Sequence, residues 1–588
     1  MFPQIVTTKK PDGSTYRYLH IVESYREGAS VKKRRIASLG NIDVYSDKEI
    51  EQIIRKLESV LQNRVFGSLD DLNPVCMLEF GVPYVVQFLW DQLHLTEAIR
   101  SALGTRNVEF DVAEYIKAMV VSRLADPASK RELFLTVEDF YLPDSPKKWQ
   151  LQDFYRALDY LMDIKPELEH HLYRELTNLL NFQLSLVFYD MTSTHVTGHC
   201  CPIAKHGYSR THRPDLEQVE LGLLVTPDGL PISHEVFSGE IPDKKTVAEV
   251  LKKLKQDYCV EKCVFVGDRG MVTGENFELL ERAEYPYIVG YHKRGRVVSD
   301  HLLEAYQDLG DFQKIRDNLY YLEIPASVVE DDEDSKGCRY MLCYNPVKAE
   351  QDAAFRSAAL QEAENELQRI GRLLTTPHRG RASNPKNIMI QVGKELTRKN
   401  VQSFFEIHYD GQQLSYSRNE TVLAKETLRD GKFIVKTNTA LVAEDVILSY
   451  KNLMNVERAF REIKNFLDVG PLRHWNEKRV RGHIFVCVLA YLFEQELQVM
   501  YRRSWQHKRD EAMALTDPNQ RENAMTELDQ TWFTGEHLIK ELRRWSVMKA
   551  EFLGKEFLSV PPPPGDARLM LEAMGIPLPD KSIVINGK

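Results

Sequence analysis

Two short apolar runs, LSLVFYD (184–190) and KCVFVGD (262–268), constrain the fold more than any other feature of this chain. Each is strand-like in length, continuously apolar, and breaks on an aspartate. Continuous rather than alternating apolarity over this length marks buried strands. Asp190 and Asp268 are therefore expected where buried strands end, held rigidly yet open to a cleft. Between the runs, VELGLLVTPDGLPISHEVFSG (219–239) reads as a hairpin turning at Pro227-Asp228-Gly229, and TVAEVLKKLKQD as a helix leading into the second run.

The rest of the chain sorts into segments. The first forty residues alternate between apolar and polar and suggest a small antiparallel β unit, followed by a helix from about Asp47 to Leu61 capped by Ser46. Residues 80–180 are helical in pattern. From about 295 to 440, short strand-like pieces surround one long helix, QDAAFRSAALQEAENELQRIGRLL, and the block looks inserted. IFVCVLAYLF (484–493) is about half a membrane span and reads as a buried core helix. PPPPG (561–565) precedes a loose tail, and no internal repeat is present.

At 588 residues the chain needs several domains. With 43% hydrophobic and 28% charged residues it has the make-up of a soluble globular protein. The amino terminus has no apolar signal segment, and eight scattered cysteines show no disulfide spacing, so a cytoplasmic, reduced protein without membrane attachment is expected. The net charge of −9 argues against a nucleic-acid partner only on average, because binding fields are local. Residues 1–40 hold eight Lys/Arg against three acids, and residues 471–510 hold eight against four.

YKNLMNVERAFREIK (450–464) supplies a third carboxylate. Leu453, Val456, Phe460, Ile463 and Leu467 fall three or four apart and should share a buried face, with Glu457, Arg461 and Lys464 along its edge. An i,i+4 ion pair on a solvated flank explains most such patterns. Three carboxylates from two strands and a packed helix also make a site for hard cations. Paired ions in such a site promote phosphodiester chemistry.

YDMTSTHV, GDRGMV and this Tyr–Glu–Lys helix resemble the DDE transposases of bacterial insertion sequences, in the superfamily of insertion sequence four. Its Tyr–Arg–Glu–Lys signature is matched by Tyr450, Glu457 and Lys464 in identity and spacing, while Leu453 stands at the Arg position. GYSRTHRPDLEQVELGLLVTPDGLPISHEVFSGEIPDKKT (207–246) also resembles the family's stretch after the first Asp. The resemblance implies an α/β fold: an RNase H-like catalytic core interrupted by a β-rich insertion, preceded by a small β unit and a helical DNA-binding region. The corresponding domains are 1–65 (β unit plus helix), 75–180 (helical, DNA-binding), 181–295 and 441–505 (the two core halves), 296–440 (insertion) and 506–588 (helical segment and tail).

The resemblance further implies that Asp190, Asp268 and Glu457 are catalytic and bind two Mg²⁺ or Mn²⁺ ions. Tyr450 and Lys464 would contact phosphates near the transposon end, and the partner is double-stranded DNA, both transposon ends and target. Arg461 is either a substitute for the missing signature Arg or an intrahelical partner of Glu457. Arg473 and Trp475 lie just beyond the signature, and Trp475 either stacks on a base or is packed. The reaction implied is end cleavage followed by strand transfer, by a homodimer on DNA.

Other readings remain. His195, His199, Cys200, Cys201 and His206 are potential zinc ligands, although a polar loop fits their spacing better. A carboxylate-pair glycosidase would use Asp190 or Asp268 with Glu457 but leaves the Tyr–Glu–Lys spacing unexplained. A DNA-binding protein without catalysis is the third.

Overall fold

The computed structural model describes residues 2–28, 30–58, 72–180, 185–210, 213–242, 245–258, 260, 263–271, 273–291, 300–324, 337–375, 385–410, 413–552, 555–580 and 582–584. Cys259 and the acidic run 330–335 fall outside them. The chain opens with strands β1 (Phe2–Lys9), β2 (Thr15–Glu27) and β3 (Ser30–Asn41), then helix α1 (Asp47–Glu58) and β4 (Leu72–Glu79). Helices α2 (Gly81–Gln92), α3 (Leu95–Leu103), α4 (Val112–Ala125), α5 (Lys130–Thr136), α6 (Leu151–Asp163) and α7 (Lys165–Leu180) follow. Next come β5 (Leu186–His195), β6 (Gln218–Val225), β7 (Pro231–Ser238), α8 (Val247–Gln256), β8 (Val264–Gly267), α9 (Gly274–Arg282) and β9 (Tyr287–Tyr291).

The middle of the chain carries α10 (Asp300–Ala305), β10 (Gln313–Arg316), β11 (Leu319–Ile324), β12 (Arg339–Tyr344), α11 (Pro346–Thr375), α12 (Pro385–Arg398), β13 (Phe405–Tyr409), β14 (Leu414–Arg418), α13 (Glu420–Thr427) and β15 (Lys432–Thr437). The remainder is α14 (Ala443–Lys451), α15 (Met454–Arg461), α16 (Glu477–Met513), α17 (Pro518–Gln530), α18 (Gly535–Arg543), β16 (Ser546–Phe552), β17 (Lys555–Ser559), α19 (Ala567–Ala573) and β18 (Ser582–Val584).

These elements form two compact units. The first comprises residues 1–78, 546–562 and 579–588 and holds the three-stranded sheet β1-β2-β3 and the four-stranded sheet β18-β17-β16-β4. Helix α1 opens with a reciprocal cap: the Glu49 N–H donates to Ser46 Oγ (3.4 Å) while the Ser46 N–H donates to Glu49 Oε2 (2.9 Å). The carboxy-terminal stretch, expected as a helical segment and loose tail, carries helices α17–α19 and also strands β16–β18, which form a sheet with β4.

The second unit, residues 79–545 and 563–578, is built on a nine-stranded sheet in the order β10-β11-β12-β15-β9-β8-β5-β6-β7. β5, β8 and β9 run parallel; the other neighbouring pairs are antiparallel. β6 and β7 form the expected hairpin, closed by Thr226 N–H to Leu230 O (2.9 Å), with Gly229 at φ +84°. Alternation along β5 sends Val187, Tyr189 and Met191 into a core with Val247, Val250 and Leu254 of α8 and Phe277 and Leu280 of α9. Asp190 and Thr192 therefore face the other way, where α15 packs on β5 and β6.

The block 296–440 departs from expectation in two respects. Its strands β10, β11, β12 and β15 extend the main sheet through β15, which pairs with β9. The described part is also richer in helix than in strand, with α12 beside the long α11. These helices and the hairpin β13–β14 enclose a small core of Leu360, Leu367, Ile370, Val392, Leu396 and Phe405.

Helix α16 is the one helix among the described residues long and apolar enough to cross a membrane. Every residue from Ile484 to Phe493 is buried against protein, within a helix much longer than the apolar run. Each large apolar side chain so buried contributes roughly 1.5–3 kcal/mol, which accounts for its central place among α4, α6, α17 and α18.

Candidate active site

The site begins with strand register. β5 and β8 are parallel neighbours, with Tyr189 opposite Gly267. Asp190 and Asp268 are the residues that follow this last pair, at the point where β8 stops. β5 does not stop there: it continues to His195, paired with β6 from Asp190↔Leu223 to His195↔Gln218. The expectation that both aspartates end strands thus holds for Asp268 and is corrected for Asp190. β-Branched Thr192 and Thr194 prolong the strand, and the aspartate sits within it. Both carboxylates are half-buried. Asp190 Oδ1 accepts from the Met191 N–H (2.7 Å), and the Asp268 carbonyl accepts from the Met271 N–H (3.1 Å), closing a tight turn.

Residues 450–467 are not one helix. α14 ends at Lys451, Asn452 and Leu453 form a turn, α15 runs to Arg461, and a π turn spans Glu462–Phe466. The apolar stripe survives this break: Leu453, Val456, Phe460, Ile463 and Leu467 are all buried. Leu453 is thus a core side chain. Asn455 Nδ2 ties α15 to the β6–β7 turn through Pro227 O (2.8 Å).

The break separates the signature residues. Lys464, in the π turn, reaches back to β5, where its Nζ donates to Thr192 Oγ1 at 2.6 Å. Burial and then Arg210 lower its pKa, against the pull of Glu220 and Asp190. Arg210 itself donates to Glu220 Oε2 at 2.6 Å. Lys464, Asp190 and Arg210 therefore share one electrostatic neighbourhood. Tyr450 lies elsewhere, its ring stacked on Phe433 of β15 (6.0 Å, 26°) and its hydroxyl pressed over Gly290 of β9. A Cβ at Gly290 would stand 2.3 Å from that hydroxyl. Gly290→Ala is expected to cost about 1–3 kcal/mol by displacing the ring, and to cost nothing in a Tyr450→Ala background. Thermal melts of the four variants check this, and equal losses in both backgrounds would refute it.

Glu457 is exposed on the flank of α15. Among the described residues no three His, Cys, Asp or Glu side chains gather closely enough to hold a metal ion. That statement covers the carboxylate triad and the His195–His206 loop alike. Asp190, Asp268 and Glu457 nonetheless offer hard oxygen donors, chemically suited to Mg²⁺ or Mn²⁺.

Arg461 opens on a cavity of about 610 Å³ with Glu536, Lys540 and Arg543 of the α18 region. Arg473 and Trp475 line a different groove of about 910 Å³ with Arg123, Lys130, Tyr155 and His474. Arg123 braces this groove by donating to the carbonyls of Leu467 (3.2 Å) and Asp468 (3.0 Å). The loop beyond is stitched to the end of β5 by Leu472 N–H to His195 O (2.9 Å) and Thr197 N–H to Leu472 O (2.7 Å). Cations crowd there: burial and then Arg123 push Lys130 down to about 7, and burial and then Lys130 push His474 down to about 4. Trp475 is 69% exposed, not packed. Sequence reasoning missed Arg123, Lys130 and Arg210, although Arg123 and Lys130 lie in the helical stretch 80–180 and Arg210 in the stretch 207–246.

A family model for the transposase DDE domain matches residues 181–493. The chain is a DDE transposase. Residues 4–70 match the N-terminal domain of IS1634 family transposases, which places this transposase in that family. A cryo-EM structure of a piggyBac transposase synaptic complex with hairpin DNA is a distant structural neighbour. It is 8% identical, with a TM-score of 0.33, over 80% of this chain and 83% of that one. A comparison with curated proteins finds no match. As a DDE transposase the chain is an enzyme that acts on DNA, and DDE domains generally use divalent metal ions.

Proposed function

We propose that this transposase binds the terminal inverted repeats of its element, cleaves the DNA there, and joins the freed 3′-OH groups to target DNA. The observation that carries the proposal is the parallel β5–β8 register, whose last pair, Tyr189↔Gly267, is followed on each strand by an aspartate, Asp190 and Asp268. The order β7-β6-β5-β8-β9, antiparallel at first and then parallel, supports an RNase H-like core around it. Asp190 and Asp268 would hold divalent cations, with Glu457 completing the set from α15. Bound there, two Mg²⁺ or Mn²⁺ ions would supply an activated attacking oxygen and charge neutralisation at the leaving oxygen.

The chain's own residues orient the DNA. Lys464 at Thr192 and Arg210 at Glu220 place positive charge beside the carboxylates, where a scissile phosphate needs it. The groove of Arg473 and Trp475 adds phosphate contacts and an exposed aromatic face. In the first step water attacks phosphorus and the P–O3′ bond breaks, leaving 3′-OH and 5′-phosphate. In the second, that 3′-OH attacks a target phosphodiester. Two ends require two active sites, hence a homodimer on DNA.

The test is incubation of the protein with duplexes carrying the element's ends. Cleavage with Mg²⁺ or Mn²⁺, and none with a chelator, is expected. Binding without cleavage under either cation would favour the alternative, a DNA-binding protein without catalysis, for which the scattered position of Glu457 speaks.

A further inference from the structure

β2 and β3 outrun β1. The β1–β2 ladder ends at Phe2↔Val22, while β2 and β3 stay paired from Glu23↔Arg34 to Glu27↔Ser30. Among the described residues, 23–28 and 30–34 pair with one another beyond that point as a two-stranded ribbon, turning at Gly28 (φ +62°). Nearly every described residue of the ribbon is exposed.

Alternation splits its charges by face. Glu23 and Glu27 fall on the same face of β2 as Leu19 and Ile21, which line an apolar pocket with Ile50, Ile53 and Ile54 of α1. On that face Glu23 pairs with Arg34 (2.6 Å) and Glu27 with Lys32. The opposite face carries Arg26, Lys33 and Arg35 with no carboxylate among the strand positions. It continues along β2 as His20, Tyr18 and Tyr16; the Tyr18 and His20 rings stack at 6.3 Å, and Lys10 sits over Tyr16 at 4.3 Å. A net-acidic chain has here kept the ribbon's carboxylates to one face, each beside a cation, and set three cations and a run of aromatic rings on the other.

We propose that this β2–β3 ribbon enters the major groove of duplex DNA, with Arg26, Lys33 and Arg35 towards the DNA, and that it is the surface by which the transposase recognises its element's ends. Strands about 4.8 Å apart make a ribbon that fits a groove about 12 Å wide. Cations on one face supply the phosphate attraction that positions it, and exposed Val31, opposite Arg26 on that same face, supplies surface for base edges. The inference rests on the reading of this chain as an end-binding transposase, and assigns the recognition to the amino-terminal sheet rather than to helices α2–α7.

The experiment compares the full chain with the Lys33→Ala/Arg35→Ala variant and the charge-conserving Lys33→Arg/Arg35→Lys variant. Binding to duplexes of the element's terminal sequence is measured against salt, with guanine N7 methylation interference. Each lost phosphate contact should lower the slope of log affinity against log salt by about 0.9, so by about 1.8 for the alanine pair. Affinity should fall about tenfold or more, while the conserving pair keeps the slope and shows that the fold is intact. N7 methylation should block wild-type binding. An unchanged slope in the alanine variant, or indifference to N7 methylation, overturns the inference and leaves the transposase reading standing. A wild-type chain that neither binds nor cleaves terminal DNA would defeat both.

Discussion

Asp190→Asn and Asp268→Asn are each expected to lower end cleavage by about 10³-fold or more while leaving DNA binding intact. The substitution keeps shape and volume. At position 190 it also keeps an oxygen able to accept from the Met191 N–H, so the fold of β5 is preserved. What it removes is a negative charge at the residue that follows the last paired position of β5 and β8, Tyr189↔Gly267. If the work of the two carboxylates is to hold divalent cations, activity falls with the charge. Binding should hold or tighten, because a carboxylate that repels phosphate is gone. The readouts are single-turnover cleavage and filter binding on the same duplex. Glu457→Gln should lose cleavage to a similar degree; if it cleaves like wild type, Glu457 is not the third ligand. A variant of Asp190 or Asp268 that cleaves normally would remove the basis of the catalytic proposal.

Local chemistry made part of this architecture legible. The β6–β7 hairpin announces itself through Pro-Asp-Gly, α1 through Ser46 and Glu49, and α16 through a run too apolar for anything but a core. The buried stripe from Leu453 to Leu467 was readable because periodicity records which side chains are buried. It does not record whether the backbone remains one helix, and the turn at Asn452–Leu453 with the π turn after Arg461 separates Tyr450, Arg461 and Lys464 into three surroundings. Long-range pairing was equally hidden. Nothing local to YDMTSTH states that β5 continues against β6 after β8 has stopped, or that β15 joins β9. Arg123 and Lys130 escaped notice because the groove they line is made by segments more than three hundred residues apart, as the bond from Arg123 to Leu467 shows.

Glu169→Gln is expected to lower the stability of the second unit by about 3 kcal/mol at neutral pH. Glu169 of α7 is buried at the β7 edge of the sheet, where it accepts from Lys165 Nζ (2.8 Å), the His234 N–H (3.2 Å) and Ser233 Oγ (3.3 Å). Its Oε1 also lies 2.9 Å from His234 Nδ1, off the line of a hydrogen bond. Lys253 of α8 approaches to 3.5 Å and pairs with Glu235, so one carboxylate helps join α7, β7 and α8. Burial alone would raise its pKa, but Lys165, His234 and Lys253 outweigh burial and hold it well below the usual carboxylate range. The amide leaves Lys165 and Lys253 with Glu235 as the carboxylate they share, and Lys165 with the His234 carbonyl besides. The sign of the pH dependence follows from a depressed folded-state pKa. The carboxylate's contribution is fully present above the unfolded value near 4.5 and is lost as pH falls through the folded one. The gap between wild type and Glu169→Gln in urea midpoint should therefore be largest at neutral pH and shrink in acid. A gap that is absent at neutral pH, or grows in acid, would mean that the desolvation cost of the cluster cancels its attraction and that apolar packing alone holds this edge of the sheet.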